Sequence, residues 1–177
     1  MDSQNWPFLD VAVDEDTGGL VVIDAAHYMI HAGQMFAYQE PATLAAAGVK
    51  NFVFTTAATK ECHFQVFVDS LLELTVDVYK ASTRVGTNLR TAYNKNQRST
   101  ITPTATVHEA IGGGGADGTL LYSYKNGDPA TSRIQGIGIS TGDRDEWILA
   151  ASTKYLVRLT SGADGNNTNT MFRWYEV

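Results

Sequence analysis

The chain has 177 residues, 44% of them hydrophobic and 18% charged, with 16 glycines; this balance fits one globular domain with its own core rather than a disordered chain, and leans away from helix-rich domains laced with Glu and Lys. A net charge of −6 argues against a general nucleic-acid binder, whose affinity for phosphates comes from cations. The single cysteine, Cys62, excludes an intrachain disulfide framework and reads as a small core residue.

Residues 1–24 carry Asp2, Asp10, Asp14, Glu15, Asp16 and Asp24 without one Lys or Arg, leaving 13 acids against 13 bases in the rest. This segment therefore holds the whole charge imbalance, and it reads as an extended acidic arm before a domain at 25–177. Its start lacks the basic and apolar regions of a signal peptide, and no apolar run approaches the roughly 18 residues of a membrane span. The expectation is synthesis in a cytoplasm and no membrane partner.

His27 and His31 sit four apart, a spacing that shares one face of a helix and also of a strand. Zinc needs a third and usually a fourth ligand, so packing or interface histidines are the preferred reading and no metal or cofactor is expected. Residues 41–49, PATLAAAGV, admit a short helical turn closed by Gly48, or a loop.

Alternation then dominates. In 62–69, CHFQVFVD, residues Cys62, Phe64, Val66 and Val68 share a face, and in 72–80, LELTVDVYK, so do Leu72, Leu74, Val76 and Val78. Separated by a short Ser70–Leu71 link, these read as adjacent antiparallel strands. Weaker period-2 patterns at 51–56, 119–125, 132–140, 146–150, 154–160 and 170–177 bring the total to about eight strands. Asn126-Gly127 is a hairpin-turn signal, 161–169 reads as a polar loop, and the glycine run 112–118 as a loop or a bulged crossing between sheets. The fold class expected is all-β: a single antiparallel β-sandwich or jelly roll.

Motifs that suggest catalysis lack their context. Residues 138–142, GISTG, match G-x-S-x-G, but a strand pattern follows Ser140 where an elbow needs a helix, and the last histidine, His108, lies upstream. Gly113, Gly115 and Gly118 satisfy G-x-G-x-x-G, yet TLLYSYK after them is again a strand pattern. Asp143, Asp145 and Glu146 read as solvated turn acids rather than a glycosidase pair. No enzymatic activity is expected.

Between Asp77 and Glu109 there is no acid, while Lys80, Arg84, Arg90, Lys95 and Arg98 are all basic. Few aromatics accompany them, which disfavours single-strand nucleic-acid binding. The stretch 86–98, GTNLRTAYNKNQR, reads as a solvated loop or as an ordered connection, held at Gly86, whose Arg and Asn side chains face a protein partner.

Ile30-His31-Ala32-Gly33 followed by Met35-Phe36, the strands at 62–80, Gly86-Thr87, Asn94 to Ser99, Tyr155 to Leu159 and Trp174-Tyr175-Glu176 occur in an order that resembles a group of small β-rich proteins of tailed bacteriophages. These are encoded near the major capsid protein and are taken to be head decoration, or cement, proteins; the similarity spans about residues 25–177. The resemblance implies a structural virion protein on the capsid exterior, bound to the major capsid protein and forming a homo-oligomer, a trimer in preference to a dimer. The expected contacts are Trp6, Phe8 and Leu9 as apolar anchors, with Arg84, Arg90, Asn94, Lys95, Asn96 and Arg98 as the complementary polar surface. The alternative is a receptor- or carbohydrate-binding sandwich of a tail or fibre, using Trp147, Tyr122 or Tyr124.

Overall fold

The structure is a computed structural model that describes residues 12–13, 20–21, 25–110, 114–127, 135–138 and 146–177. A two-stranded ribbon pairs β1 (Ala12–Val13) with β2 (Leu20–Val21), and helix α1 (Ala25–His31) follows. Then come β3 (Met35–Leu44), β4 (Val49–Thr55), β5 (Cys62–Ser70), β6 (Leu74–Lys80), β7 (Asn88–Arg90), β8 (Tyr93–Asn94) and β9 (Thr106–Glu109). The chain continues through β10 (Thr119–Asn126), β11 (Gln135–Gly138), β12 (Trp147–Leu149), β13 (Lys154–Ser161) and β14 (Asn166–Glu176).

Two sheets form a sandwich, in the orders β10-β6-β13-β4-β9-β7 and β11-β5-β14-β3-β8, with β12 also on β5. Without the short strands, the sheets are β4-β13-β6-β10 and β3-β14-β5-β11, every pair antiparallel. That is the strand order of a jelly roll, two sheets of four in which most successive strands change sheet. The short strands β7, β8 and β9 form an insertion between β6 and β10 that widens both sheets on one side.

Alternation explains the core. Phe36 and Tyr38, Phe64, Val66 and Val68, and Phe172 and Trp174 face Phe52 and Phe54, Leu74, Val76 and Val78, and Tyr155, Val157 and Leu159. Phe54 meets Phe64 at 4.4 Å and Trp174 at 5.2 Å between ring centroids, and Phe52 meets Phe172 edge-on at 5.3 Å, contacts that add to the area they bury. Cys62 is buried among them, and burial, with the Glu176 carboxylate beside it, pushes its thiol far above the ordinary value. It is a core residue, as its place in the alternation indicated.

Several local expectations are corrected. β5 and β6 are not paired; they lie in opposite sheets, and the link after Ser70 is a corner. Alternation requires only that each strand bury one face, and two strands facing across a sandwich meet that as well as two neighbours in a sheet. Asn126-Gly127 is no hairpin: Gly127 has φ 81°, but Asn126 is buried and donates to the Val68 carbonyl at 3.2 Å, and β11 pairs with β5 in the other sheet. The polar stretch 161–169 contains a turn of only four residues, because β14 begins at Asn166. PATLAAAGV is strand through Leu44 and then a turn, with Ala47 at φ 56°.

The stretch 86–98 is an ordered connection. It contains β7 on one sheet and β8 on the other, so it ties the two layers together. A Cβ on Gly86 would lie 2.2 Å from His108 Cβ, which is why glycine stands there. Gly114–Gly118 is a loop joining β9 and β10 of one sheet, not a crossing between sheets, and a strand follows it.

Candidate functional site

The five mid-chain cations separate into two kinds. Arg84 and Arg158 both bind the Asp117 carboxylate, which fastens the glycine-rich loop onto the outside of one sheet. Bonding to the Arg158 guanidinium holds Asp117 below the usual carboxylate range against the opposing effect of burial, with Arg84 adding to the same pull. Arg90 belongs to an internal network at the edge of the sandwich: with Lys50 it binds Glu40 and Glu109, and the Tyr38 hydroxyl donates to Glu40. Glu40 comes from one sheet, and Lys50, Arg90 and Glu109 from the other, so these charges bridge the layers. Arg84 and Arg90 thus each already hold a carboxylate of their own chain.

Asn94 and Asn96 also bond within their own chain. The Asn94 amide donates to the carbonyls of Gly33 at 2.7 Å and Ile101 at 3.0 Å, while its oxygen accepts from the Asn96 backbone at 2.8 Å. The Asn96 amide donates to the His31 carbonyl at 3.0 Å, and its oxygen accepts from Arg98 N–H at 3.1 Å. Together they join residues 94–101 to the carboxyl end of α1. Asn is suited to this because one side chain both accepts from the backbone two residues on and donates to a distant carbonyl.

The helix end has a matching design. Gly33 N–H donates to Ile30 O at 3.0 Å and Gln34 N–H to Met29 O at 3.0 Å, the paired bonds of a Schellman stop, with Gly33 at φ 70°. A Cβ there would lie 2.2 Å from Ser99 Oγ. Gly33→Ala is expected to cost about 2 kcal/mol, from left-handed strain plus the clash, read as a lower urea midpoint with an unchanged m-value.

Between α1 and this loop lies a cleft of about 420 Å³, lined by Ile30, His31 and residues 95–98. Lys95 and Arg98 stand on it. Burial, and next the Arg173 guanidinium, pull the Lys95 amine below its ordinary value. Arg173, on β14, stacks over Phe67 at 4.9 Å. Among the described residues Lys95, Arg98 and Arg173 have no carboxylate partner within ion-pair distance, in contrast to Arg84 and Arg90.

His27 and His31 lie on α1 with their Nε2 atoms 2.9 Å apart and rings 4.6 Å apart, so helix is the alternative realised. Among the described residues no group of three His, Cys, Asp or Glu side chains is placed to hold a metal ion. A cluster that sequence reasoning missed surrounds His63. Its Nδ1 lies 2.8 Å from Glu146 and 2.9 Å from the Tyr175 hydroxyl, its Nε2 2.9 Å from Glu61, and its ring stacks on Tyr175 at 4.3 Å. Outward-facing alternation on β5 and β14 was the available signal for His63 and Tyr175, but nothing local brings Glu146 to them from 83 and 29 positions away. The cluster anchors the start of β12 to the outer face of the sheet.

Trp147 and Tyr124 pack against the core at the other edge of the sandwich, and Tyr122, more exposed, meets Trp147 edge-on at 6.3 Å. Trp6, Phe8, Leu9, Gly113, Ser140, Asp143 and Asp145 lie outside the described residues. No protein family, curated protein or solved structure matches this chain.

Proposed function

We propose that this protein is a structural component of a phage virion that binds the outside of the capsid lattice and stabilises it. The observation that carries the proposal is a division of charge within one chain. Six unopposed carboxylates precede the domain, and a cleft on the domain holds cations that no described carboxylate neutralises. Such a chain is complementary to neighbours carrying the same two features, as repeating assembly on a lattice requires. The jelly roll agrees with this, being a fold used by capsid proteins as well as by lectins. The order of motifs that resembles head decoration proteins supports the same reading.

The mechanism is mass action. A protein that binds only the assembled, expanded shell adds its binding free energy to that shell, about 2.7 kcal/mol per site at a free concentration a hundredfold above Kd. The acidic arm supplies Trp6, Phe8 and Leu9 as apolar anchors on the major capsid protein, and the domain supplies the rigid body. An adhesin that stacks sugars on aromatic rings draws less support, because Trp147 and Tyr124 are turned to the core.

The test is heat disruption of purified empty shells followed by light scattering. The full chain is expected to raise the disruption temperature by several degrees, and a chain lacking residues 1–24 to leave it unchanged while retaining its own unfolding transition. Equal protection by the truncated chain would remove the arm from the mechanism.

A further inference from the structure

We propose that the cleft between α1 and residues 95–98 is a self-association site that receives the acidic residues 10–16 of a second copy of this chain. The inference deepens the virion reading by naming the contact that joins subunits, and it rests on observations independent of any capsid.

Three features define the site. First, the cleft is built rather than incidental: the Gly33 stop, the Asn94 and Asn96 amides and the close approach of Ser99 to Gly33 fix the loop against the helix. Side chains on it project from a held backbone. Second, Lys95 and Arg98 face the cleft and Arg173 lies close enough to disfavour the charged form of Lys95. Like charges held together without a counter-ion repel one another, and a carboxylate entering between them relieves that repulsion. The neighbouring cations show the contrast, because Arg84, Arg90, Lys50 and Arg158 each already hold an Asp or Glu.

Third, the chain carries its own counter-charge. Asp10, Asp14, Glu15 and Asp16 lie within seven residues, with Val11 and Val13 between the first two, which suits a cleft that combines cations with the apolar Ile30 side chain. A site on one surface and its ligand on another make a heterologous contact, which closes into a ring when the rotation permits. Where the rotation closes, a cyclic oligomer needs no further interface.

Zero-length carbodiimide cross-linking of a mixture of ¹⁵N-labelled and unlabelled full chains tests this, since it joins a lysine amine to a carboxylate it touches. The expected product joins Lys95 to Asp10, Asp14, Glu15 or Asp16 with the two isotopes mixed. Products joined only within one copy, or no product at Lys95, would overturn the proposal. Sedimentation velocity supplies the second readout. K95E/R98E is expected to weaken self-association at least about tenfold, and the charge-swapped partner D14K/E15K/D16K to restore association when the two variants are mixed. Raising ionic strength from about 0.1 M to about 1 M shortens the Debye length from about 10 Å to about 3 Å and is expected to dissociate the wild type. A wild type that is monomeric at low salt, or an oligomer indifferent to K95E/R98E, would contradict it. Shell protection by a chain shown to be monomeric would do so while leaving the capsid-binding reading intact.

Discussion

Glu176→Ala is expected to lower the unfolding free energy by about 4 kcal/mol, a large share of the roughly 5–15 kcal/mol that holds a domain folded. The Glu176 side chain is wholly buried at the end of β14, where a carboxylate normally costs stability. Here it is enclosed by donors. Its oxygens accept from Thr104 N–H at 3.0 Å, Ala105 N–H at 2.8 Å and Trp174 Nε1–H at 3.1 Å, and from the Thr104 hydroxyl, with Lys60 Nζ at 3.7 Å. Removing the carboxylate strands the Ala105 and Trp174 donors in the interior and releases the segment leading into β9.

Burial pushes the Glu176 carboxyl up, but the Thr104 hydroxyl, the Ala105 and Thr104 amides and the Trp174 indole together outweigh it and hold the group below its ordinary value of 4.5. Because the folded value is depressed, the stabilisation is present above about pH 4.5 and is lost as pH falls through the folded value. Urea midpoints measured between neutral and acid pH are expected to fall for the wild type and to fall less for Glu176→Gln, which starts lower. Parallel curves for the two proteins would show that the carboxylate is not the group being titrated.

Asn166→Ala is expected to cost about 3 kcal/mol, also read by urea denaturation. Asn166 is fully buried at the start of β14. Its oxygen accepts from Leu72 N–H at 2.9 Å, and its amide donates to the carbonyls of Glu73 at 3.0 Å and Leu72 at 3.3 Å and to Ser161 Oγ at 3.1 Å. One side chain thus serves both the β5–β6 corner and the β13–β14 corner. Asn166→Asp is the sharper control, since it keeps the acceptor but replaces the donor with a second acceptor facing two carbonyls. It should be at least as damaging as alanine, and a neutral effect would mean that the corners hold without this residue.

These two residues also show where sequence reading stops. Strands buried on one face were legible by alternation, as β5, β6, β13 and β14 demonstrate, because inward and outward residues differ in chemistry along the chain itself. The first half of β3 was not, since Met35, Phe36, Ala37 and Tyr38 are all buried, leaving no period to read. Asn166 to Asn169 looked like loop because they are polar, yet Asn166 and Thr168 face inward with partners supplied by distant segments. Which sheet each strand joins was invisible for the same reason: β5 and β6 satisfy their pattern equally well side by side or face to face.

The basic stretch was legible as charge but not as availability. Arg84, Arg90, Lys95 and Arg98 are alike in sequence. Only the fold brings Asp117 to Arg84 and Glu40 with Glu109 to Arg90, and only the fold adds Arg173, 75 positions beyond Arg98, to the cations without a carboxylate partner among the described residues. Charge reversal at Arg90 is therefore expected to report on folding, whereas reversal at Lys95 and Arg98 tests the proposed self-association.

Co-sedimentation with purified empty shells built from a major capsid protein in its expanded form, read together with electron-microscopic localisation, addresses the central claim most directly. The account predicts saturable binding at a fixed copy number per lattice position on the outer surface, reduced by removal of residues 1–24. Protein that stays in the supernatant at every concentration while binding host cells or glycans would contradict it.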